Sequence, residues 1–289
     1  MKDMGSLHYF LGMQVRRTSS SLLLSQTQYA LQLLEKFGLS GIKPVKSPLA
    51  AGLQLSAHGS PLLSDPTIYR QMVGSLQYLT LSRPDLACAV NHVCQFMHKP
   101  TEAHFEAVKR IFRYVKGTIS LGLQFCKGQS LSLRAFSDAD WAGCPDSRRS
   151  TTGIAIFLGP NLVSWGAKKQ PTVSRSSSEA EYRALASTTA EVLWFLHLLN
   201  QLRIPLHSPP ILFCDNISAL HMSKNPIYHS RTKHVDIDVH FIREHVFNGT
   251  IRLAHIPGAD QLADVFTKSL PSPRFLGLRD KLMIRKIPP

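Results

Sequence analysis

Residues 136–143 read FSDADWAG and place two carboxylates, Asp138 and Asp140, at the end of a run that alternates apolar and polar side chains. Alternation with a period of two predicts a half-buried strand, and the small residues that follow predict a turn. Acids at such a point are often plain turn formers. The chain around them carries a net charge of +14, so a metal site that acts on a polyanion is a second hypothesis.

Length and charge bound the class of protein. The chain has 289 residues, which predicts two domains, since domains commonly run to about 100–200 residues. Residues 1–125 hold 13 basic and 6 acidic side chains, and residues 126–289 hold 20 and 13, so each half carries +7. Basic charge on both halves favours a nucleic-acid partner, because neutralising phosphates drives that binding.

Other classes of protein fit less well. The five cysteines are scattered and form no C-x-x-C pair, which argues against a disulfide framework or a zinc ribbon. His229, His234, His240 and His245 match no standard zinc spacing. No signal peptide and no membrane-spanning run is found, so we expect no membrane partner and an intracellular protein of the cytoplasm, nucleus or an organelle.

The second half of the chain predicts one α/β domain over residues 126–275. Its patterns follow the order β-β-β-α-β-α-α-β-α, which suits a mixed five-stranded sheet with flanking helices. The long helix begins in SSSEAEYRALA, where Ser176 is a candidate cap and Glu179 completes a capping box. Residues 276–289 are left as a C-terminal tail.

The first half, residues 1–125, predicts two short strands followed by a mainly helical segment. Its last helix, over residues 102–117, groups four basic side chains on one face. This face is either a phosphate contact or a solvated surface, and the pattern does not separate the two. The basic residues are Lys109, Arg110, Arg113 and Lys116.

Four acids of the predicted α/β domain lie at strand ends or in flanking helices. Asp138 and Asp215 end strands, and Glu181 and Asp264 lie in helices. If the strands that end in Asp138 and Asp215 are neighbours, their carboxylates lie close together, and Glu181 and Asp264 reach in from helices. Clustered carboxylates resist joint ionisation unless a cation holds them, and Mg²⁺ prefers oxygen ligands. Taken singly, each acid is more often a turn, cap or solvated-helix residue than a metal ligand.

The order of these motifs resembles a known family. The blocks FSDADWAG, SRRSTTG, SWGAKKQPTVSRSSSEAEYRALA, FCDNISAL, HSRTKHVDIDVHFIREHV and HIPGADQLADVFTK, spread over about residues 130–270, resemble the ribonuclease H domain of Ty1/copia-type retrotransposon polyproteins. The earlier blocks, among them YRQMVGSLQYLTLSRPDLACAVNHVCQFMHKP, resemble the C-terminal end of the reverse transcriptase of the same family, in its thumb or connection-like part.

The resemblance implies an activity and its residues. It implies metal-dependent hydrolysis of the RNA strand of an RNA–DNA hybrid, with Mg²⁺, or Mn²⁺ as its substitute, held by Asp138, Glu181, Asp215 and Asp264. Asp140 belongs to the motif without being one of the four. The expected contacts to the nucleic acid are Asn216, Ser218, Lys168, Lys169, Arg231, Lys233 and His234.

The first half departs from the family pattern. The polymerase carboxylates of these reverse transcriptases include an Asp-Asp pair, and this chain has no Asp-Asp dipeptide. We therefore expect no DNA polymerase activity, and the polymerase portion of a parent polyprotein is an expected partner. Two alternatives to an active ribonuclease stay open: a catalytically silent nucleic-acid-binding remnant, and a translated fragment of a decayed element.

Overall fold

Packing divides the chain into two units. A computed structural model describes residues 5, 7–128, 131–224 and 236–287, without the side chain of Lys224. The first unit comprises Met1–Lys127 and Ser269–Pro289, and the second comprises Gly128–Lys268.

The described residues form helices and strands in an order close to the predicted one. In chain order the elements are β1 (Tyr9–Phe10), β2 (Met13–Arg17), β3 (Ser21–Ser25), α1 (Thr27–Lys36), α2 (Thr67–Leu79), α3 (Ala87–Cys94), α4 (Glu102–Gly117), β4 (Leu121–Cys126), β5 (Leu133–Ala139), β6 (Thr151–Leu158), β7 (Asn161–Lys169), α5 (Ser177–Gln201), β8 (Ile211–Cys214), α6 (Ile217–Lys224), α7 (Asp236–Phe247), β9 (Arg252–His255), α8 (Asp264–Thr267), α9 (Ser272–Lys281) and β10 (Ile284–Lys286).

The division into units differs from the sequence-based one at the C-terminus. The sequence patterns predicted that the second domain runs to residue 275 and that residues 276–289 form a C-terminal tail. In the structure β10 pairs antiparallel with β4, and the ring of Phe275 packs edge-on against Tyr114 at 5.6 Å between centroids. Residues 269–289 therefore belong to the first unit, because β10 completes its sheet.

The first unit joins helices to an antiparallel sheet with the strand order β1-β2-β3-β4-β10. Two strands were predicted at the start of this unit, where the structure has β1, β2 and β3, and no strand was predicted over residues 121–126. They form β4 instead, with Leu121 and Leu123 buried. The basic face of α4 is partly structural: Arg113 Nε donates to the carbonyl of Lys43 at 2.8 Å, and Arg110 Nη2 donates to Ser47 Oγ at 3.3 Å.

A buried ion pair lies at the centre of the first unit. Arg83 Nε and Nη2 donate to the two carboxylate oxygens of Asp85 at 2.9 and 2.7 Å, and both residues are at most 4% exposed. The hydroxyl of Tyr114 donates to the same carboxylate at 2.6 Å, and Arg83 Nη2 also donates to Thr118 Oγ1. This network joins the turn before α3 to α4.

The second unit is built on a mixed sheet with the strand order β7-β6-β5-β8-β9. The pairs β7–β6 and β6–β5 are antiparallel, and β5–β8 and β8–β9 are parallel. The helix α5 covers this sheet with Tyr182, Leu185 and Val192, all fully buried. The predicted α/β class with a mixed five-stranded sheet and flanking helices is confirmed.

The last helix of the second unit is shorter than predicted. The sequence favoured a helix through DQLADVFTKSL, but α8 holds only Asp264–Thr267. The backbone at Gln261 is extended, because its buried side chain donates from Nε2 to the carbonyl of Ser137 at 2.9 Å. This bond ties the chain before α8 to β5. Over the described part of the chain, no helix has the length and apolar character needed to cross a membrane.

The buried pair supports a stability prediction. We expect Asp85→Asn to lower the free energy of unfolding by about 3–5 kcal/mol, because Arg83 is left buried without its counter-charge. Asp280→Asn is the control, since Asp280 is 57% exposed in its pair with Arg279 and an exposed pair contributes less than about 1 kcal/mol. Urea unfolding followed by far-UV circular dichroism measures both, and equal losses would contradict the account.

Candidate metal centre

The parallel pairing of β5 and β8 brings two of the four acids to one edge of the sheet. Phe136 is the register partner of Phe213, and their rings stack at 5.0 Å. Asp138 and Asp215 each follow two residues later, so the two acids occupy equivalent places beside one another. The expectation that these strands are neighbours is confirmed. Asp138 is fully buried, whereas Asp215 is half-buried.

Glu181 reaches this edge from the first turns of α5. Ser176 caps the helix by accepting the backbone N–H of Glu179 at 3.2 Å, as predicted. Glu179 itself accepts the N–H of Arg175, one residue before the cap, and not the N–H of Ser176 that a capping box uses. The cap fixes the start of α5, and Glu181, 7% exposed, accepts the backbone N–H of Ala139 on Oε1 at 3.3 Å.

Asp264 begins α8 and joins the group through a shared cation. Lys268 Nζ donates to Asp264 Oδ1 at 2.5 Å and to Asp138 Oδ1 at 3.2 Å. The hydroxyl of Thr267 donates to the other oxygen of Asp138. The ammonium of Lys268 therefore bridges the acid of β5 and the acid of α8.

A glycine allows α8 to approach the sheet this closely. Gly153 is the β6 partner of Asp138. A Cβ atom at this position would lie 2.8 Å from the carbonyl oxygen of Ala263 and 2.7 Å from Cγ2 of Thr267. Any larger residue would have to push α8 away from Asp138.

The four acids form one electrostatic group. Burial raises the pKa of Glu181 to about 9, with a further contribution from the charges of Asp138 and Asp215. Burial also raises the pKa of Asp138, against the opposing effects of Lys268 and Thr267. Lys268 in turn has a raised pKa, because the attraction of Asp138 and Asp264 outweighs its own desolvation. Such carboxylates ionise together only beside positive charge.

The donor atoms at this edge fit a hard divalent cation. Ligand atoms of Glu181, Cys214 and Asp215 lie within 4.8 Å of one another. Burial raises the pKa of the Cys214 thiol in the metal-free chain. The remaining donors are carboxylate oxygens, which Mg²⁺ prefers.

Asp140, the second acid of the opening motif, has a structural position. Its carboxylate accepts the backbone N–H of Thr151, and its own N–H donates to the carbonyl of Thr151 at 3.2 Å. Burial raises the pKa of Asp140 to about 7. These bonds hold the end of β5 against the start of β6.

The residues expected to contact nucleic acid differ in their exposure and in their bonds within the chain. Lys168 is exposed at the end of β7, and Lys169 is half-buried with its Nζ donating to Cys144 Sγ at 2.8 Å. Ser218 is exposed, whereas Asn216 caps α6 by accepting the N–H of Ala219 on Oδ1. Arg231, Lys233 and His234 lie outside the described residues.

A groove runs beside the two lysines. It has a volume of about 520 Å³, and its lining includes Thr152, Lys168, Lys169 and Arg183. None of the four acids lines it. The groove is therefore a separate surface of the second unit, and the acids Glu191 and Asp238 line it together with its three basic side chains.

Sequence reasoning missed Lys268, the residue that links two of the acids. Its spacing held a signal, because Asp264 and Lys268 are four residues apart, the distance at which side chains meet on a helix. The contact to Asp138 spans 130 residues of sequence, and no local pattern reports it.

Lys268 generates a prediction about the metal-free protein. We expect Lys268→Met to lower the free energy of unfolding by about 1–3 kcal/mol, because Asp138 and Asp264 lose their counter-charge in a partly buried site. Millimolar Mn²⁺ should raise the melting temperature of this variant more than that of the unaltered chain, since the metal meets no competing ammonium. Differential scanning fluorimetry measures both effects, with Lys168→Met as the exposed control. A smaller Mn²⁺ response in Lys268→Met would contradict this role.

Comparison with known proteins relates the chain to transposon proteins. The chain is 47% identical to the retrovirus-related Pol polyprotein from transposon RE1 of Arabidopsis thaliana over 289 residues, which is all of this chain and 20% of that polyprotein. It is 39% identical to the Pol polyprotein from transposon TNT 1-94 of Nicotiana tabacum, covering 95% of this chain and 21% of that protein. The chain thus spans about a fifth of the length of these relatives.

Shorter relatives and solved structures also match. An uncharacterized mitochondrial protein of Arabidopsis thaliana, AtMg00810, is 55% identical over 194 residues, with 67% of this chain and 80% of that protein covered. The crystal structure of LC11-RNase H1 in complex with an RNA/DNA hybrid matches 47% of this chain and 94% of its own, with 12% identity and a TM-score of 0.37. No protein-family model matches the chain. On the sequence relationships, which cover the full chain, it belongs to the Ty1/copia-type retrotransposon Pol family.

Proposed function

We propose that the second unit hydrolyses the RNA strand of RNA–DNA hybrids, with Mg²⁺, or Mn²⁺ in its place, as the resident metal. The substrate class is the one named for LC11-RNase H1, whose structure was solved with an RNA/DNA hybrid. The observation that carries the proposal is geometric: Asp138 and Asp215 lie side by side at the ends of β5 and β8, Glu181 bonds to the end of β5, and Lys268 joins Asp264 to Asp138.

The roles of the four acids follow from their surroundings. Asp138 and Glu181, which are almost fully buried, would hold the metal in place, and Asp215 and Asp264 would complete its ligands. When bound, the metal activates a water molecule and stabilises the leaving oxygen of a phosphodiester. The neutralising ammonium of Lys268 would move away from Asp138 and Asp264 as the metal takes its place.

Two exposed parts of the second unit support a polyanionic substrate. Lys168 and Lys169 lie beside the groove on β7, where they would meet phosphates of the hybrid. Ser218, exposed on α6, offers a hydroxyl to a ribose 2′-OH, the group that separates RNA from DNA. Asn216 would fix the start of α6 rather than contact the strand, since its Oδ1 caps that helix.

A cleavage assay tests the proposal. We expect the full chain with Mg²⁺ or Mn²⁺ to cut the labelled RNA strand of a hybrid and to leave double-stranded DNA intact. Asp215→Asn should reduce the rate by more than about 100-fold, because loss of even an outer contact to a metal ligand commonly costs about 10–100-fold. Asp260→Asn, the same change at an exposed acid four residues before Asp264, should leave the rate unchanged.

The outcomes of this assay distinguish an active ribonuclease from a catalytically silent remnant. Cleavage that needs the metal and disappears in Asp215→Asn supports the enzyme. Equal cleavage by Asp215→Asn and the unaltered chain would contradict the assignment of the acids.

One observation favours a second candidate, a catalytically silent nucleic-acid-binding remnant. Lys268 already neutralises Asp138 and Asp264, so the unit can fold and present its basic surface without metal. A remnant of this kind would bind hybrid and release it uncut.

Binding by either candidate should depend on salt. We expect the logarithm of hybrid affinity to fall linearly with the logarithm of the salt concentration, because bound phosphates release counter-ions. Lys168→Ala should reduce the slope by about 0.9 if Lys168 meets one phosphate of the duplex. Fluorescence anisotropy in EDTA measures the slope, and the exposed Lys281 of α9, changed to alanine, serves as the comparison. An unchanged slope in Lys168→Ala would remove Lys168 from the contact surface.

A further inference from the structure

An exposed tryptophan lies next to the acid of β5. Trp141 is 51% exposed and follows Asp138 by three residues, so its backbone lies within about 10 Å of that acid, given the span of about 3.3–3.6 Å per residue. Large aromatic side chains bury much area in cores and at interfaces. Half of this ring is unburied at the rim of the candidate metal centre.

The ring of Trp141 is held in one orientation. Its indole N–H donates to the carbonyl of Ser174 at 3.1 Å, and its backbone N–H donates to the carbonyl of Ala139 at 3.1 Å. The next residue, Ala142, has a φ of 54°, in the left-handed region that few residues other than glycine adopt. The turn and these two bonds thus fix the orientation of the indole, which is exposed although it is held in place.

The two loops that carry this bond are tied to each other. Residues 141–150 and 170–176 meet through Gln170 N–H to the carbonyl of Ser150 at 2.8 Å and through Arg149 Nη1 to the carbonyl of Pro171 at 3.3 Å. Ser150 Oγ also accepts the N–H of Ala142 at 3.0 Å. The loops therefore form one preorganised surface, which we call the tryptophan platform, comprising residues 141–150 and 170–176.

The charge of the tryptophan platform suits a phosphate backbone. Arg148 and Arg175 are exposed on its two loops, and Arg149 is half-buried between them. Asp146 is the exposed acid of the same surface, so the balance of the platform is basic. Guanidinium groups pair well with phosphate oxygens, and aromatic rings contact the bases and sugars between phosphates.

We infer that the tryptophan platform binds the sugar–phosphate backbone of the hybrid beside the scissile position, with the indole of Trp141 against a sugar and Arg148 and Arg175 on phosphates. A duplex keeps its bases stacked inside, so a ring on this surface meets sugars in the shallow groove of an A-like helix. The inference rests on the proposed function for its substrate class. It adds contact residues outside the basic segments of residues 168–169 and 231–234.

Binding measured without cleavage tests the platform. Fluorescence anisotropy with a labelled RNA–DNA hybrid, in EDTA so that the strand stays intact, compares Trp141→Ala with Trp194→Ala. Trp194 is the matched control, since it is 55% exposed on α5. We expect Trp141→Ala to weaken binding about tenfold, which corresponds to about 1.4 kcal/mol, and Trp194→Ala to have no effect.

A conservative variant guards against a folding defect. Trp141→Phe keeps a ring and loses the bond to Ser174, so it should retain most of the affinity that Trp141→Ala loses, while circular dichroism shows all three variants folded. Equal affinity of Trp141→Ala and the unaltered chain would overturn the inference, and so would the absence of any hybrid binding.

Cleavage by the same preparations separates this inference from the proposed function. If the chain binds hybrid through Trp141 and does not cleave it with Mg²⁺ or Mn²⁺, the proposed function is wrong and the inference about the tryptophan platform stands. If the unaltered chain cleaves the hybrid and Trp141→Ala binds it with unchanged affinity, the inference about the tryptophan platform is wrong and the proposed function stands.

Discussion

The parallel pairing of β5 with β8 is the constraint on which the candidate site depends. It sets Asp138 and Asp215 side by side at one edge of a buried sheet, and the cap of α5 and the close approach of α8 over Gly153 add Glu181 and Asp264. Four acids in such a place repel one another and lose hydration. The chain offsets part of this cost with Lys268 and with bonds from Thr267 and Ala139. A protein with a net charge of +14 thus gathers four acids at one edge of a sheet.

The elements that sequence reasoning predicted well are those with strong local signals. Burial of one face gives a strand or helix a repeating pattern of apolar residues. Such patterns predicted the strand that ends in Asp138, the capped helix that carries Glu181 and the short strand before Asp215. Neighbouring parallel strands then bring the acids together by a general property of α/β sheets. These patterns placed the four acids on their elements, and the family resemblance selected them as candidate site residues; their roles remain predictions.

The features that sequence reasoning missed depend on contacts between distant residues. The strand β10 exists because it pairs with β4, and no strand was predicted over the residues that form β4. The end of the predicted last helix is set by Gln261, which bonds to Ser137 more than a hundred residues away. Lys268 and Trp141 likewise owe their positions to Asp138 and Ser174. None of these contacts leaves a periodic signal in one sequence.

Anomalous diffraction from crystals of the full chain soaked in Mn²⁺ would show whether the acid group holds a divalent metal. We expect an anomalous peak against the carboxylates of Asp138 and Glu181, with the ammonium of Lys268 displaced from Asp138 and Asp264. The same crystals with no peak at this edge, and with Lys268 still bridging the two acids at saturating Mn²⁺, would contradict it. The group would then be a neutralised structural cluster.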